Sequence, residues 1–393
     1  MTAGTVVPAR GRTRAALYAG GFLGPFGGGV VTVLVPELRD AFGISSAGAS
    51  LALTVYLVPF AALQLVSGTL GERFGRARAT RLAFAVYAVA SLVAAAGGGY
   101  GLFLAARAVQ GAANAFTTPL VLAALADATE EADLGRSMGT FAAVQTAGVV
   151  GAPLVGGLAG AVDYRLAFVA TAVAALVLVA VTVPDRHLGR AGVTRLADAL
   201  TPRTCWTALA AFLAYFAITG LAVVVALRAG DAFGLGPTAR GLLLAGFGVA
   251  GVVAGRPAGG AADRRGPIRV ALAGTLPCCV LLPLLGLAGG PVALALVWLA
   301  AGVCSALLWA GLNVLTVGAA PANRGGAVSL IGAFKFAGNA LAPVSWLALY
   351  DAESELAFAA AGAVCVVLAA VVVRAGAAAV SRAQSPPAAR ADR

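Results

Sequence analysis

The sequence predicts an all-helical integral membrane protein: twelve transmembrane helices in two pseudo-symmetric six-helix halves, with both termini cytoplasmic. Three observations carry that prediction. First, 60% of the 393 residues are hydrophobic and only 11% are charged, with a mean hydropathy of +0.93. A soluble domain usually has about a quarter of its residues charged, so this chain cannot cover itself with polar surface and takes lipid as its solvent. Second, a short string occurs twice: GTLGERFGRAR at 68–78 and GGAADRRGPIR at 259–269, 191 positions apart, each between two long apolar segments. A duplicated membrane protein with a charged turn in each half is the pattern of a transporter built from two similar halves. Third, the basic residues fall overwhelmingly on one side of the predicted membrane.

A bilayer core about 30 Å thick needs about 20 apolar helical residues to cross it. Beyond an N-terminal tail, 1–14, the first half (15–184) supplies six such stretches: 15–36, 47–69, 79–98, 101–126, 137–160 and 165–184. The first follows Arg10, Arg12 and Arg14 and carries no cleavable signal pattern. The second and third flank the first copy of the string. The fourth carries Arg107, and the fifth is rich in Gly. Residues 185–203 form the longest polar connection, a cytoplasmic linker holding the single histidine, His187, as a solvated residue. The second half (204–376) supplies 204–227, 238–258, 268–289, 291–318, 327–349 and 355–375, and the tail 377–393 has a disordered composition. The abundance of Gly and Ala lets these helices approach closely without a hydrophobic driving force between them.

With both termini inside, 21 of the 27 Lys and Arg residues are cytoplasmic. Arg39, Arg165, Arg228 and Arg240 lie outside, and Arg107 and Lys335 lie within spans. That asymmetry fixes the orientation and accounts for the net charge of +11. It excludes nucleic-acid binding, because the bases are scattered over short loops. Cys205, Cys278, Cys279, Cys304 and Cys365 all lie in or at spans without metal-ligand spacing, so they read as small buried hydrophobes, and no metal or disulfide framework is expected. There is no Walker string. No nucleophile–base couple and no acid pair suited to catalysis lies in the membrane, so an enzyme is not expected. No cofactor is expected either, and a proton gradient is the expected energy source.

These strings resemble the motifs of the major facilitator superfamily. Gly68, Leu70, Arg73, Gly75 and Arg76 match that family's loop motif between the second and third helices, with Glu72 in place of the usual Asp. The second copy matches through Gly259, Asp263, Arg264 and Gly266. RAVQGAANA at 107–115 is similar to the family's Arg-x-x-Gln-Gly string through Arg107, Gln110 and Gly111. GVVGAPLVGG at 148–157 resembles the fifth-helix string that marks the family's antiporters, largely drug–proton exporters, through Gly148, Pro153, Gly156 and Gly157, with Ala152 where Gly is usual. LTVYLVPFAALQL at 53–65 resembles the second helix of the drug-exporting branch. The resemblance implies a monomeric transporter working by alternating access. Physically, an acid at a helix end can pair with an Arg or a helix N-terminus across the junction of the halves. Glu72 and Asp263 are therefore candidate latch acids, with Arg73, Arg76 and Arg264 as partners or lipid anchors; the alternative is loop charges that only fix topology. The fifth-helix glycines and Pro153 allow a kink and tight packing.

Arg107 and Lys335 mark the candidate site. A charge near the bilayer centre costs about 2.5–3.5 kcal/mol on insertion scales, and both lie several residues from a span end. Arg107, Gln110, Asn114 and Thr118 form one stripe; Lys335 and Asn339 are one turn apart; Ser305, Trp309, Asn313 and Thr316 share a face of the tenth span. Tyr56 and Gln64 on the second span and Gln145 on the fifth complete the candidate cavity lining. The alternative for Arg107 is a structural link to backbone carbonyls of a neighbouring helix. None of the sixteen acids lies in the middle of a span. Two cations without an anion favour an anionic or neutral solute, with Lys335 as candidate proton carrier and Glu37 or Asp127 as substitutes. The leading reading is a proton-coupled exporter of a drug or metabolite across the plasma membrane. The alternatives are an importer or facilitator of an organic anion or sugar-like metabolite, and a non-transporting sensor with a transporter fold.

Overall fold

The computed structural model describes residues 11–130, 133–180, 199–317, 319–320 and 324–383. The tails at 1–10 and 384–393, most of the expected linker with His187, and the side chain of Glu72 lie outside the described residues. The described residues are helical and contain no strand. The first half comprises α1 (Gly11–Gly29, continued by a 3-10 turn Val30–Val33), α2 (Val35–Phe42), α3 (Ser46–Arg73), α4 (Arg76–Ala96), α5 (Tyr100–Asp127), α6 (Leu134–Gly160) and α7 (Arg165–Val179). The second comprises α8 (Pro202–Ala214), a π turn (Tyr215–Thr219), α9 (Ala222–Asp231), α10 (Pro237–Arg265), α11 (Pro267–Leu287), α12 (Pro291–Val317), α13 (Arg324–Ala352) and α14 (Ser354–Ala383). Eleven of the rods are long and apolar enough to cross a membrane; α7 is apolar but shorter, 15 residues, and the residues after 180 are outside the description.

Packing repeats between the halves. In the first, α1 packs on α6, α3 on α5, and α4 on both α5 and α7; in the second, α8 packs on α13, α10 on α12, and α11 on both α12 and α14. Each pairing is the counterpart of the other under one duplication. The halves then meet crosswise, α3 against α13 and α6 against α10. The repeated string behaves identically in both copies but differs from its sequence reading. It is not a loop. α3 continues through Arg73 and α10 through Arg265, and the reversal is confined to Gly75 (φ 86°) and Gly266 (φ 88°), again 191 positions apart. Charged residues extend these helices beyond the hydrocarbon, where water satisfies them, and only Gly enters the left-handed region without strain.

Two other elements differ from expectation. The short α2 falls mostly between the first two expected spans, 15–36 and 47–69. It buries Val35, Pro36 and Leu38 against the core and stops at Gly43 (φ 65°), a left-handed helix stop. The seventh span is not one α-helix: it widens into the π turn and breaks before Ala222.

The two ends of the bundle differ in charge. One, where Glu37, Arg39, Asp231 and Arg240 gather, is poor in arginine; the other carries Arg73, Arg76, Arg264, Arg265 and Arg269. The halves are pressed together at the arginine-poor end. A Cβ built on Gly157 of α6 would lie 2.5 Å from the Pro237 carbonyl oxygen and 3.1 Å from Gly241 Cα, and Gly241 in turn abuts the Pro153 carbonyl. On the same helix, Gly148 and Gly156 abut the Phe22 and Val30 carbonyls of the first span. The antiporter-like string is thus the face on which α6 meets both its own half and α10.

A Cβ and two methyls at position 157 cannot be accommodated without separating α6 from α10, at a cost of about 1–3 kcal/mol. Gly157→Val should therefore open this end. In a background without the five native cysteines, an Ala159→Cys probe, buried at this end, should label with an impermeant maleimide several-fold faster in Gly157→Val than in its parent.

Candidate functional site

Arg107 sits in α5 at its contact with α3. A Cβ on Gly111 would strike the Tyr56 carbonyl, so the glycine brings the two backbones together and lets the guanidinium reach across. Its Nε donates to the Ala52 carbonyl at 3.2 Å. One Nη donates to the Gly27 carbonyl at 3.3 Å and to Gln110 Oε1 at 2.7 Å. Gly27 lies in the last turn of α1, where carbonyls lack an intrahelical partner. The Tyr56 ring lies 4.3 Å from the guanidinium carbon. The network continues outward: Gln110 Nε2 donates to Ser91 Oγ at 2.7 Å, and Asn114 Nδ2 donates to Tyr56 Oη at 2.7 Å and to the Gly24 carbonyl at 3.3 Å. Arg107, Gln110, Asn114 and Tyr56 are all buried inside the first half. In this conformation the expected stripe therefore ties α1, α3, α4 and α5 together instead of lining an open cavity. Hydrocarbon offers a guanidinium no partner, so the backbone supplies them.

Lys335 is held differently. Its Nζ lies 4.7 Å from the Tyr215 ring centroid, 5.0 Å from Phe336 and 5.2 Å from Trp309. Tyr215 opens the π turn, and Trp346 Nε1 donates to the Phe216 carbonyl at 2.7 Å, satisfying a group that the widened turn releases. Gly338 lets α13 approach the Phe212 carbonyl of α8, which brings Lys335 beneath these rings. Trp309 comes from α12. Lys335 is half-buried and, among the described residues, makes no hydrogen bond or ion pair.

The two cations are joined by rings across the junction of the halves. Tyr56 stacks on Phe60 at 6.3 Å, Phe60 meets Phe336 edge-on at 4.7 Å, and Phe336 and Trp309 meet Tyr215 at 6.0 and 5.2 Å. Gln64 lies near Gly332 of α13, with a buried Oε1 that has no partner. Asn339 and Gln145 are half-buried and Asn313 is exposed; no described contact brings these three into the ring cluster. Phe60, Tyr215 and Phe336 are missing from the sequence reading, since an aromatic residue on an apolar helix looks the same whether it faces lipid, core or cavity. An apolar crevice of about 480 Å³ also lies on the α3–α13 seam, beside Thr54, Phe212 and Phe334, but it holds no charged group and is distinct from the Lys335 cluster.

At the arginine-rich end the side chain of Glu72, one of the two candidate latch acids, lies outside the described residues. Arg76 is buried and pairs with Asp127 of α5, within its own half, while Arg73, Asp263 and Arg264 are exposed. Among the described residues, the ion pairs that cross between halves are at the other end: Arg240 of α10 with Glu37 of α2, both largely buried, and Arg39 with Asp231 of α9 at 3.8 Å. Burial raises the Glu37 carboxyl above its ordinary range, and the Arg240 guanidinium opposes that shift. Meanwhile α5 and α12, which carry Arg107 and Trp309, are not packed on each other. The structure is closed at the arginine-poor end.

Two bundles related by duplication, meeting around a buried polar and aromatic centre, define a membrane transporter fold. Two stretches of the chain, 17–209 and 207–391, match the Major Facilitator Superfamily, and the chain belongs to that family of transporters. It is a multi-pass membrane protein. It is similar to the puromycin resistance protein of Streptomyces alboniger (31% identical over 169 residues, 42% of this chain and 34% of that one). It is also similar to the drug efflux pump JefA of Mycobacterium tuberculosis (28% over 130 residues, 33% of this chain and 26% of that one). The chain spans about a third of the length of the curated relatives it matches. Among solved structures, a bacterial homologue of the human lysosomal transporter Spinster, inward-facing and unoccupied, superposes with a TM-score of 0.78 at 15% identity, over 98% of this chain and 100% of that one. A D-xylose–proton symporter superposes with a TM-score of 0.76 at 16% identity, over 91% and 96%.

The two cations should respond differently to substitution. Arg107→Lys keeps the charge but cannot span three acceptors, so it should cost about 3 kcal/mol or more and lower the melting temperature in detergent by several degrees. Lys335→Gln removes a half-buried charge with no hydrogen bond and should leave the melting temperature within a degree or two.

Proposed function

We propose that this chain is a secondary transporter of the plasma membrane that exports a small organic molecule, an anionic or neutral drug or metabolite, by alternating access coupled to the proton gradient. In this reading it crosses the membrane twelve times, with both termini and the arginine-rich end cytoplasmic, and works as a monomer. The observation that carries the proposal is the closure of the arginine-poor end, where the halves are joined by Glu37–Arg240, Arg39–Asp231 and the Gly157–Gly241 contact. With the orientation given by the charge asymmetry, the closed end is external and the Lys335 cluster is reached from the cytoplasm, as loading of an exporter requires. The opposite state then closes the arginine-rich end, where Glu72 and Asp263 are the proposed latch. Export is supported by the names of the sequence relatives and by the packing of the fifth-helix string; membrane-embedded positions give no carboxylate to bind a cationic drug.

Inside-out vesicles with an imposed proton gradient test this. Addition of small organic solutes spanning anionic, neutral and cationic classes should release luminal protons for at least one class, with loss of the signal in Gly157→Val. Solute uptake that is indifferent to the gradient would make the chain a facilitator, and no uptake of any class would overturn the transport reading.

A further inference from the structure

We propose that the transported solute is an organic monoanion with a flat apolar body, its charge held by Lys335 and its body lying against Tyr215, Trp309 and Phe336. This rests on the transport reading and narrows it.

The argument begins with a charge left over. Of the two cations within the spans, Arg107 is fully buried and committed to the Ala52 and Gly27 carbonyls and to Gln110. Lys335 is half-buried with no anion or hydrogen-bond acceptor among the described residues. Three ring faces at 4.7–5.2 Å lessen the cost of holding an ammonium there, but they do not neutralise it. The open side of the ammonium is where a counter-charge fits. Among the described residues no carboxylate is placed to supply one: Asp127 is at the end of α5 and Asp263 near the end of α10.

That arrangement sorts solutes by charge. A monoanion brings the site to neutrality. A dianion leaves one charge unpaired in a low-dielectric site, and a cation or zwitterion leaves an ammonium with no carboxylate to meet, each at a large desolvation cost. The rings then sort by shape. Tyr215 and Trp309 meet nearly at right angles (82°), as do Phe60 and Phe336 (84°), so the cluster presents flat apolar walls suited to stacked or edge-on contact with an aromatic body. Across the junction, the unpartnered Gln64 Oε1 offers an acceptor for an O–H or N–H on that body. Because Phe336 touches both Lys335 and Phe60 of the other half, a solute here sits on the seam that must move, which couples its occupancy to the rearrangement.

The test uses the full chain in detergent and four probes sharing one body: 1-naphthoate, the neutral 1-naphthamide, the cationic 1-naphthylmethylammonium and a naphthalene dicarboxylate. Binding is read by melting temperature and by quenching of tryptophan fluorescence. The naphthoate should bind at least tenfold more tightly than the other three. Lys335→Gln should weaken it at least tenfold without affecting naphthamide, and Lys335→Arg should restore most of the affinity. The ranking on the wild-type chain stands even if Lys335→Gln does not fold. Tightest binding by the cation or the amide, naphthoate binding indifferent to Lys335→Gln, or no binding by any probe would overturn this inference. The vesicle assay, with its wider panel, reports separately on whether transport occurs.

Discussion

The structure depends on one constraint: hydrocarbon gives a charged or polar group no partner, so the chain must supply every one. Arg107 meets it with carbonyls of α1 and α3 and the Gln110 side chain. The cost of burying this charge thereby becomes the link that aligns three helices of the first half. Lys335 meets it only in part, with ring faces in place of acceptors. The first solution is fixed, with Nε and one Nη partnered and the other Nη left without a hydrogen bond. The second leaves a residual charge at the place where the halves touch, which is what a site that must bind and release a solute needs.

The same constraint explains how the halves can separate. Their main contacts are helix against helix, α3 on α13 and α6 on α10, with smaller ones of α2 and the 3-10 turn Val30–Val33 against α9 and α10, so intrahelical hydrogen bonds survive when the seams shift. The closed end adds polar groups that water can reach once it opens: Glu37, Arg39, Asp231 and Arg240. An ion pair at that position strengthens as it is buried and is relieved by hydration as it parts. The glycines of α6 set how closely the backbones come, and the ion pairs hold them there.

Most of the fold was legible in the sequence, because length and apolarity alone decide where a helix can cross lipid. Eleven of the expected spans fall on rods long enough to cross and the sixth begins on the shorter α7, and Lys335 and Arg107 stood out as charges in apolar runs. What was not legible has physical reasons. The charged strings at 68–78 and 259–269 look like loops, but polar side chains at a membrane surface are as stable on a helix as off one, so only Gly75 and Gly266 mark the turn. Helix α2 is eight residues long, too short for a periodic signal. The π turn at Tyr215–Thr219 occurs in an apolar run with no local cue. Glu37 and Arg240 are 203 positions apart, and in the sequence Glu37 is a substitute proton carrier at a span end and Arg240 a charge on the outside; only the meeting of the halves makes them partners. The role of Arg107 depended on which neighbours it reached, and the contact at Gly111 decides that.

The most direct test of the account is the sidedness of position 335. Lys335→Cys, in a background without the five native cysteines, is exposed to an impermeant thiol reagent in right-side-out and in inside-out vesicles. The account predicts rapid labelling from the cytoplasmic face and slow labelling from outside, with external labelling raised severalfold when Glu37→Gln is added. Labelling chiefly from outside, or equal labelling from both faces unaltered by Glu37→Gln, would contradict closure by the Glu37–Arg240 end around a cytoplasm-facing site.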